Sequence, residues 1–125
     1  MGLMPGYLLD TNSVIYFFDG EETVSYLIEN AKYQIVISCI TKIELLCFEA
    51  NDKAAVKGIR DFLKEVEIVY IDDDIIDSAV NYRKSHKLKV PDAIIAATAK
   101  AMRLSLVTAD KAFQKIPDIE IISPI

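Results

Sequence analysis

Histidine and cysteine are nearly missing from this sequence. It has one histidine, His86, and two cysteines, Cys39 and Cys47, with no C-x-x-C pair. That excludes a zinc site built from Cys and His ligands. The two thiols are expected to be small, buried, apolar groups. Glycine is also scarce, at positions 2, 6, 20 and 58. No glycine-rich phosphate loop can be assembled from these, which removes dinucleotide-binding and P-loop readings. The sequence does not mark a serine as the nucleophile partner of the lone His86. No apolar run approaches the ~20 residues needed to cross a membrane. Met1 to Gly6 lacks the basic stretch of a signal peptide, so a cytoplasmic location is expected. Repeats, low-complexity tracts and linkers are absent, and 125 residues fit a single domain spanning 1–125.

What is present is an alternation of short apolar runs with amphipathic stretches. Tyr7–Leu9, Ile35–Ile37, Glu67–Ile71, Leu104–Val107 and Glu120–Ile122 read as strands. Asn12–Phe18, Glu21–Asn30, Thr41–Ala50, Lys53–Glu65, Ile75–His86 and a stretch opened by Pro91 read as helices. Asn51-Asp52 is a natural turn and cap, and Asp72-Asp73-Asp74 can cap the helix after it. A short helical turn is expected near Lys111. This order predicts an α/β domain with a mainly parallel sheet of four to five strands and helices on both faces. In such sheets, ligands bind beyond the carboxyl ends of the strands.

Four carboxylates satisfy that placement. Asp10 follows the first strand directly, and Asp110 follows the fourth after two residues. Glu44 lies early in the helix after the second strand. Asp92 opens a very apolar helix, Ala93-Ile94-Ile95-Ala96-Ala97. Each has an ordinary structural explanation on its own, as a helix cap, a dipole partner or a solvated helix residue. Four of them at one end of one sheet make that joint explanation unattractive. Their apolar surroundings predict partial burial, and crowded carboxylates raise one another's pKa unless a cation neutralises them. Hard oxygen donors suit Mg²⁺ or Mn²⁺. The substrate that gains most from such a site is a phosphodiester.

The segments carrying these acids resemble a known family. Tyr7-Leu8-Leu9-Asp10-Thr11-Asn12, Thr41-Lys42-Ile43-Glu44-Leu45, Pro91-Asp92-Ala93-Ile94-Ile95-Ala96-Ala97-Thr98-Ala99 and Leu106-Val107-Thr108-Ala109-Asp110 resemble the four acidic motifs of PIN domains. The subgroup they are most similar to is the VapC-type toxins of bacterial and archaeal toxin–antitoxin pairs. The resemblance implies helices around a parallel sheet, Mg²⁺- or Mn²⁺-dependent endoribonuclease activity, a homodimer and a small antitoxin that blocks the site. It implies metal-binding and catalytic roles for Asp10, Glu44, Asp92 and Asp110, with Asn12 and Thr108 assisting through hydrogen bonds. Many toxins of this kind carry Asn at the position of Asp110 and Asp three residues later, where this chain has Phe113. That departure implies that Asp110 meets metal through water.

Other readings share parts of this pattern. Asp10-Thr11-Asn12-Ser13-Val14 is similar to the first motif of haloacid-dehalogenase-type phosphatases, but Asn12 stands where the general acid belongs, and an amide cannot donate a proton as an acid does. A housekeeping RNA-processing nuclease would have the same site with other partners. A non-cutting binding module is disfavoured because all four acids remain. The net charge of −5 argues against a general nucleic-acid binder. Setting aside the four site carboxylates leaves only −1, which fits weak, selective RNA binding. RNA contact is expected from Arg83, Lys84, Lys87 and Lys89, which lead into Asp92, extended by Lys42, Lys111 and Lys115. Tyr16, Phe17 and Tyr82 are expected to pack in the core or at a dimer face rather than stack on bases.

Overall fold

A computed structural model describes residues 6–31, 34–48 and 52–125. Five strands among them form one parallel sheet: β1 (Tyr7–Leu9), β2 (Ile35–Ser38), β3 (Glu67–Val69), β4 (Ser105–Val107) and β5 (Ile121–Ile122), in the order β3-β2-β1-β4-β5. β1 is central. Leu8 pairs with Val36 on one side and Leu106 on the other. Each parallel step needs a crossover, and six helices are available for these: α1 (Thr11–Phe18), α2 (Glu22–Glu29), α3 (Cys39–Cys47), α4 (Lys53–Glu65), α5 (Asp73–His86) and α6 (Val90–Met102).

The period-two alternation of the strands divides the core into two layers. Leu8, Val36 and Leu106 point to one face, where Ile75, Tyr82, Ala93, Ala96 and Ala97 of α5 and α6 cover them. Leu9, Ile37 and Val107 point to the other, against Val14, Val24, Leu45 and Ile59 of α1 to α4. Tyr16 and Phe17 pack against this second layer and Tyr82 is buried in the first, as expected of core aromatics. No helix among the described residues is long and apolar enough to cross a membrane.

The element boundaries differ from the sequence expectation for local reasons. β3 ends at Val69, not Ile71. Val69 pairs with Ser38, and Ser38 leaves the sheet to cap α3, so Tyr70 and Ile71 have no strand beside them. The Ser38 side chain accepts from the Ile40 amide, which starts α3 at Cys39 rather than Thr41. Leu104 stays out of β4, because its amide donates to the Ala99 carbonyl behind the left-handed Arg103 that caps α6. Asp52 and Asp72 cap α4 and α5 as expected. The expected helix end at Ala50 and the Asn51 part of the turn lie outside the described residues.

α5 and α6 are joined by a tight turn with unusual chemistry. Lys87 closes α5 in the left-handed region, at φ 56° and ψ 31°, where glycine usually sits. That conformation costs a side-chain-bearing residue about 1–2 kcal/mol. Leu88 then anchors the turn in the core, and the Arg83 guanidinium donates to its carbonyl at 2.9 Å.

Candidate active site

Asp10 is the first residue past β1. Its amide still donates to the Val107 carbonyl of β4, so its backbone is fixed by the sheet. Its carboxylate faces the start of α1. Oδ1 accepts from the Ser13 amide at 2.9 Å, and Oδ2 accepts from the Thr108 hydroxyl. Ser13 is itself buried and donates its hydroxyl to the Val107 carbonyl at 2.7 Å. Asp10 is 7% exposed. Burial pushes its carboxyl up from the ordinary range, the hydrogen bonds from Ser13 and Thr108 pull the other way, and nearby Asp110 adds a further rise.

Thr108, fully buried after β4, joins the first and fourth acids. While its hydroxyl donates to Asp10, its oxygen accepts from the Asp110 amide at 3.0 Å. Asp110 caps the single 3-10 turn Lys111–Phe113 through Oδ1. Glu44 stands in the second turn of α3, and its Oε1 accepts from the Thr11 hydroxyl at 2.6 Å. Thr11 Oγ1 also lies 3.4 Å from Thr41 Oγ1. Thr11 has one hydroxyl proton, which the shorter contact to the carboxylate takes, so the buried Thr41 hydroxyl donates to Thr11. Asp92 is half-buried in the first turn of α6. Desolvation raises its carboxyl most, Asp110 and Glu44 raise it further, Lys89 offsets part, and Asp10 adds a smaller rise.

The four acids, with Thr11 and Asn12, surround a cavity of about 130 Å³ whose apolar floor includes Ile95 and Phe113. Every acid approaches from a strand's carboxyl end or from a helix within two turns of its start. Phe113 is fully buried there, so the position that would carry a further acid serves the core instead. Among the described residues, no three His, Cys, Asp or Glu side chains are drawn close enough to ligate one ion together. The donor set nonetheless fits Mg²⁺ or Mn²⁺, which bind through one or two carboxylates and keep several waters. Burial is the first cause of the upward shifts of Asp10 and Asp92, and neighbouring carboxylates add to both.

Two sequence expectations are corrected here. Glu44 and Asp110 are exposed rather than partly buried. The apolar neighbours of Glu44 on α3 are themselves surface residues, with Ile43 57% and Leu46 52% exposed. The thiols are also not both buried: Cys47 is exposed and Cys39 intermediate, because α3 buries only Thr41 and Leu45. Of the basic residues expected near the site, Lys87, Lys89, Lys111 and Lys115 line the adjoining groove. Arg83 is engaged with Leu88, and Lys84 and Lys42 do not line that groove. The sequence alone assigns no role to Thr11 or Ser13. Their polar contacts reach 33 and 94 positions along the chain, which no local pattern signals.

The PIN domain family model matches residues 7–119, a span that contains all four acids. The chain belongs to the PIN domain family. The resemblance carried by the four acidic motifs therefore holds, and the phosphatase reading falls. Solved structures agree with this membership. A chain of a toxin–antitoxin complex from Klebsiella pneumoniae is similar at 36% identity and TM-score 0.81, over 95% of this chain and 98% of that one. VapBC2 from Rickettsia felis, bound to a DNA fragment from its promoter, shares the fold at 24% identity and TM-score 0.81, over 94% and 98% of the two chains. VapBC-1 from nontypeable Haemophilus influenzae does so at 23% identity and TM-score 0.80, over 95% and 98%. Among curated proteins, none matches the sequence.

Proposed function

We propose that this PIN domain is a Mg²⁺- or Mn²⁺-dependent endoribonuclease and the toxin of a toxin–antitoxin pair. One observation carries the enzymatic reading: four carboxylates from four separate segments surround one cavity beyond the carboxyl ends of a parallel sheet. When bound, the ion supplies positive charge that offsets the phosphodiester and activates water for its cleavage. Asp10 and Asp92 are the proposed inner ligands, since each lies at the cavity wall with its charge only partly offset, by Ser13 and Thr108 for Asp10 and by Lys89 for Asp92. Glu44, oriented by Thr11, and Asp110, tied to Asp10 through Thr108, would complete the acidic surround that holds the ion. Asn12, exposed at the rim, offers its amide to the substrate.

The toxin role is supported by the 36% identical chain taken from a toxin–antitoxin complex. Such a role requires protein partners, namely a second copy and an antitoxin. Two apolar surface regions support that requirement. Ile71, Ile76, Val80 and Val90 flank a groove between α5 and α6, and Leu46 and Phe48 flank another beside α4.

The test is direct. Structured RNA incubated with the protein is expected to be cut with Mn²⁺ and left whole with EDTA, with the ends mapped by primer extension. Asp10→Asn and Asp92→Asn are each expected to abolish cutting. Retained cleavage in either variant would sink the mechanism.

A further inference from the structure

Asp92 and Asp110 form a shared wall between two spaces of opposite charge. On one side is the acidic cavity. On the other is an open groove of about 630 Å³ that Lys87, Lys89, Lys111 and Lys115 line. These lysines come in pairs from two unconnected segments, the α5–α6 turn and the chain around the 3-10 turn after β4. The ion pairs among the described residues are Lys57–Asp61 and Lys100–Asp118, so none of the four is neutralised in that way. Four cations around one groove repel one another, and the two carboxylates in its wall, Asp92 and Asp110, are outnumbered two to one.

The turn fixes its two lysines. Leu88 is buried between them, so Lys87 and Lys89 both stay at the surface. Arg83 clamps the Leu88 carbonyl, and the Lys87 amide donates to the Arg83 carbonyl at 3.1 Å. Lys87 holds a left-handed conformation that glycine would adopt without strain. Its side chain is therefore a cost to the fold, one that Arg103 at the end of α6 shares.

We propose that this groove is a phosphate track, in which Lys87, Lys89, Lys111 and Lys115 hold the RNA backbone on one side of the bond being cut. The assignment rests on the ribonuclease reading given above. It makes the substrate path one-sided: the strand enters over the lysines and meets the acids at Asp92 and Asp110. Arg83, an expected contact, instead shapes the turn. Lys84 lies outside the track.

The experiment separates the track from the chemistry. Binding of a labelled single-stranded RNA to the Asp10→Asn protein is measured in EDTA over a range of salt concentrations. For a single strand, every phosphate that a lysine neutralises adds about 0.7 to the steepness of log K against log salt. Lys87→Gly, Lys89→Gln, Lys111→Gln and Lys115→Gln are each expected to reduce the steepness by that amount, and Lys53→Gln on α4 to leave it unchanged. Lys87→Gly is also expected to keep or raise the melting temperature while weakening binding, a pair of effects that a damaged fold cannot produce. Unchanged slopes, with a parent protein that cuts RNA in Mn²⁺, would overturn the track and leave the nuclease reading standing. A lysine-dependent slope, with a parent protein that cuts no RNA in Mn²⁺, would support the track and remove the nuclease reading. A polyglutamate peptide competing as well as RNA of equal charge would overturn phosphate recognition in favour of general attraction.

Discussion

Asp10 holds its charge against burial, and its two hydrogen bonds only partly compensate. Its folded pKa lies above the ordinary value of 3.8, so the folded state keeps the proton to higher pH than the unfolded chain does. The stability associated with the protonated group is complete below that value and is lost as pH rises from there through the folded pKa. Asp92 shifts in the same direction. In EDTA, Asp10→Asn and Asp92→Asn are expected to match the parent melting temperature at the acid end of that window. They should exceed it increasingly as pH rises, then hold a constant margin. A margin that shrinks with rising pH would contradict the sign. Thr108→Val keeps the side-chain shape but deprives both an Asp10 oxygen and the Asp110 amide of their partner. It is expected to cost about 1–3 kcal/mol in urea unfolding and to lower cleavage as well.

At the scale of elements, Ser38 is the hinge between β2 and α3. Ser38→Ala is expected to cost about 1 kcal/mol in the same unfolding measurement, the usual loss for a helix cap. The elements themselves are largely legible in the sequence, because period-two and 3.6-residue patterns are local properties. Tyr7–Leu9 and Lys53–Glu65 fall at the expected bounds. The ends are less legible where they depend on a neighbour. Nothing within Glu67–Ile71 reveals that the pairing strand runs out at Ser38. The site divides in the same way. Its acids are visible because they follow strands, and Asp10 and Asp110 also prove to be caps, so the ordinary explanation and the functional one coexist. The supporting hydroxyl of Thr11 and the burial of Ser13 are not visible, since each contact is made to a distant part of the chain. The exposure of Glu44 is hidden as well, because apolar neighbours on α3 suggest a core, whereas Ile43 and Leu46 face outward.

For the whole molecule, charge is sorted rather than spread. Four of the acids behind the net −5 crowd one cavity, and four lysines gather beside it. A divalent cation should therefore stabilise the folded chain by linkage, by about 2.7 kcal/mol at one hundred times its dissociation constant. Mn²⁺ is expected to raise the melting temperature of the parent and to raise that of Asp10→Asn or Asp92→Asn much less. An equal rise in all three would place the ion elsewhere. The two apolar regions on α5–α6 and beside α4 add surface that a lone copy leaves wet, and light scattering at rising concentration reads whether copies associate.

The central position of β1 has a consequence for timing. One of its neighbours, β2, follows soon after it in the chain, but the other, β4, carries Val107 and leads to Thr108, 98 positions beyond Asp10. Asp92 and Asp110 also belong to the last third of the sequence. A chain growing on the ribosome therefore displays Asp10 long before Asp92, Thr108 and Asp110 exist to surround it. On the proposed ribonuclease reading, the messenger being read meets a complete set of acids only after Asp110 has been made.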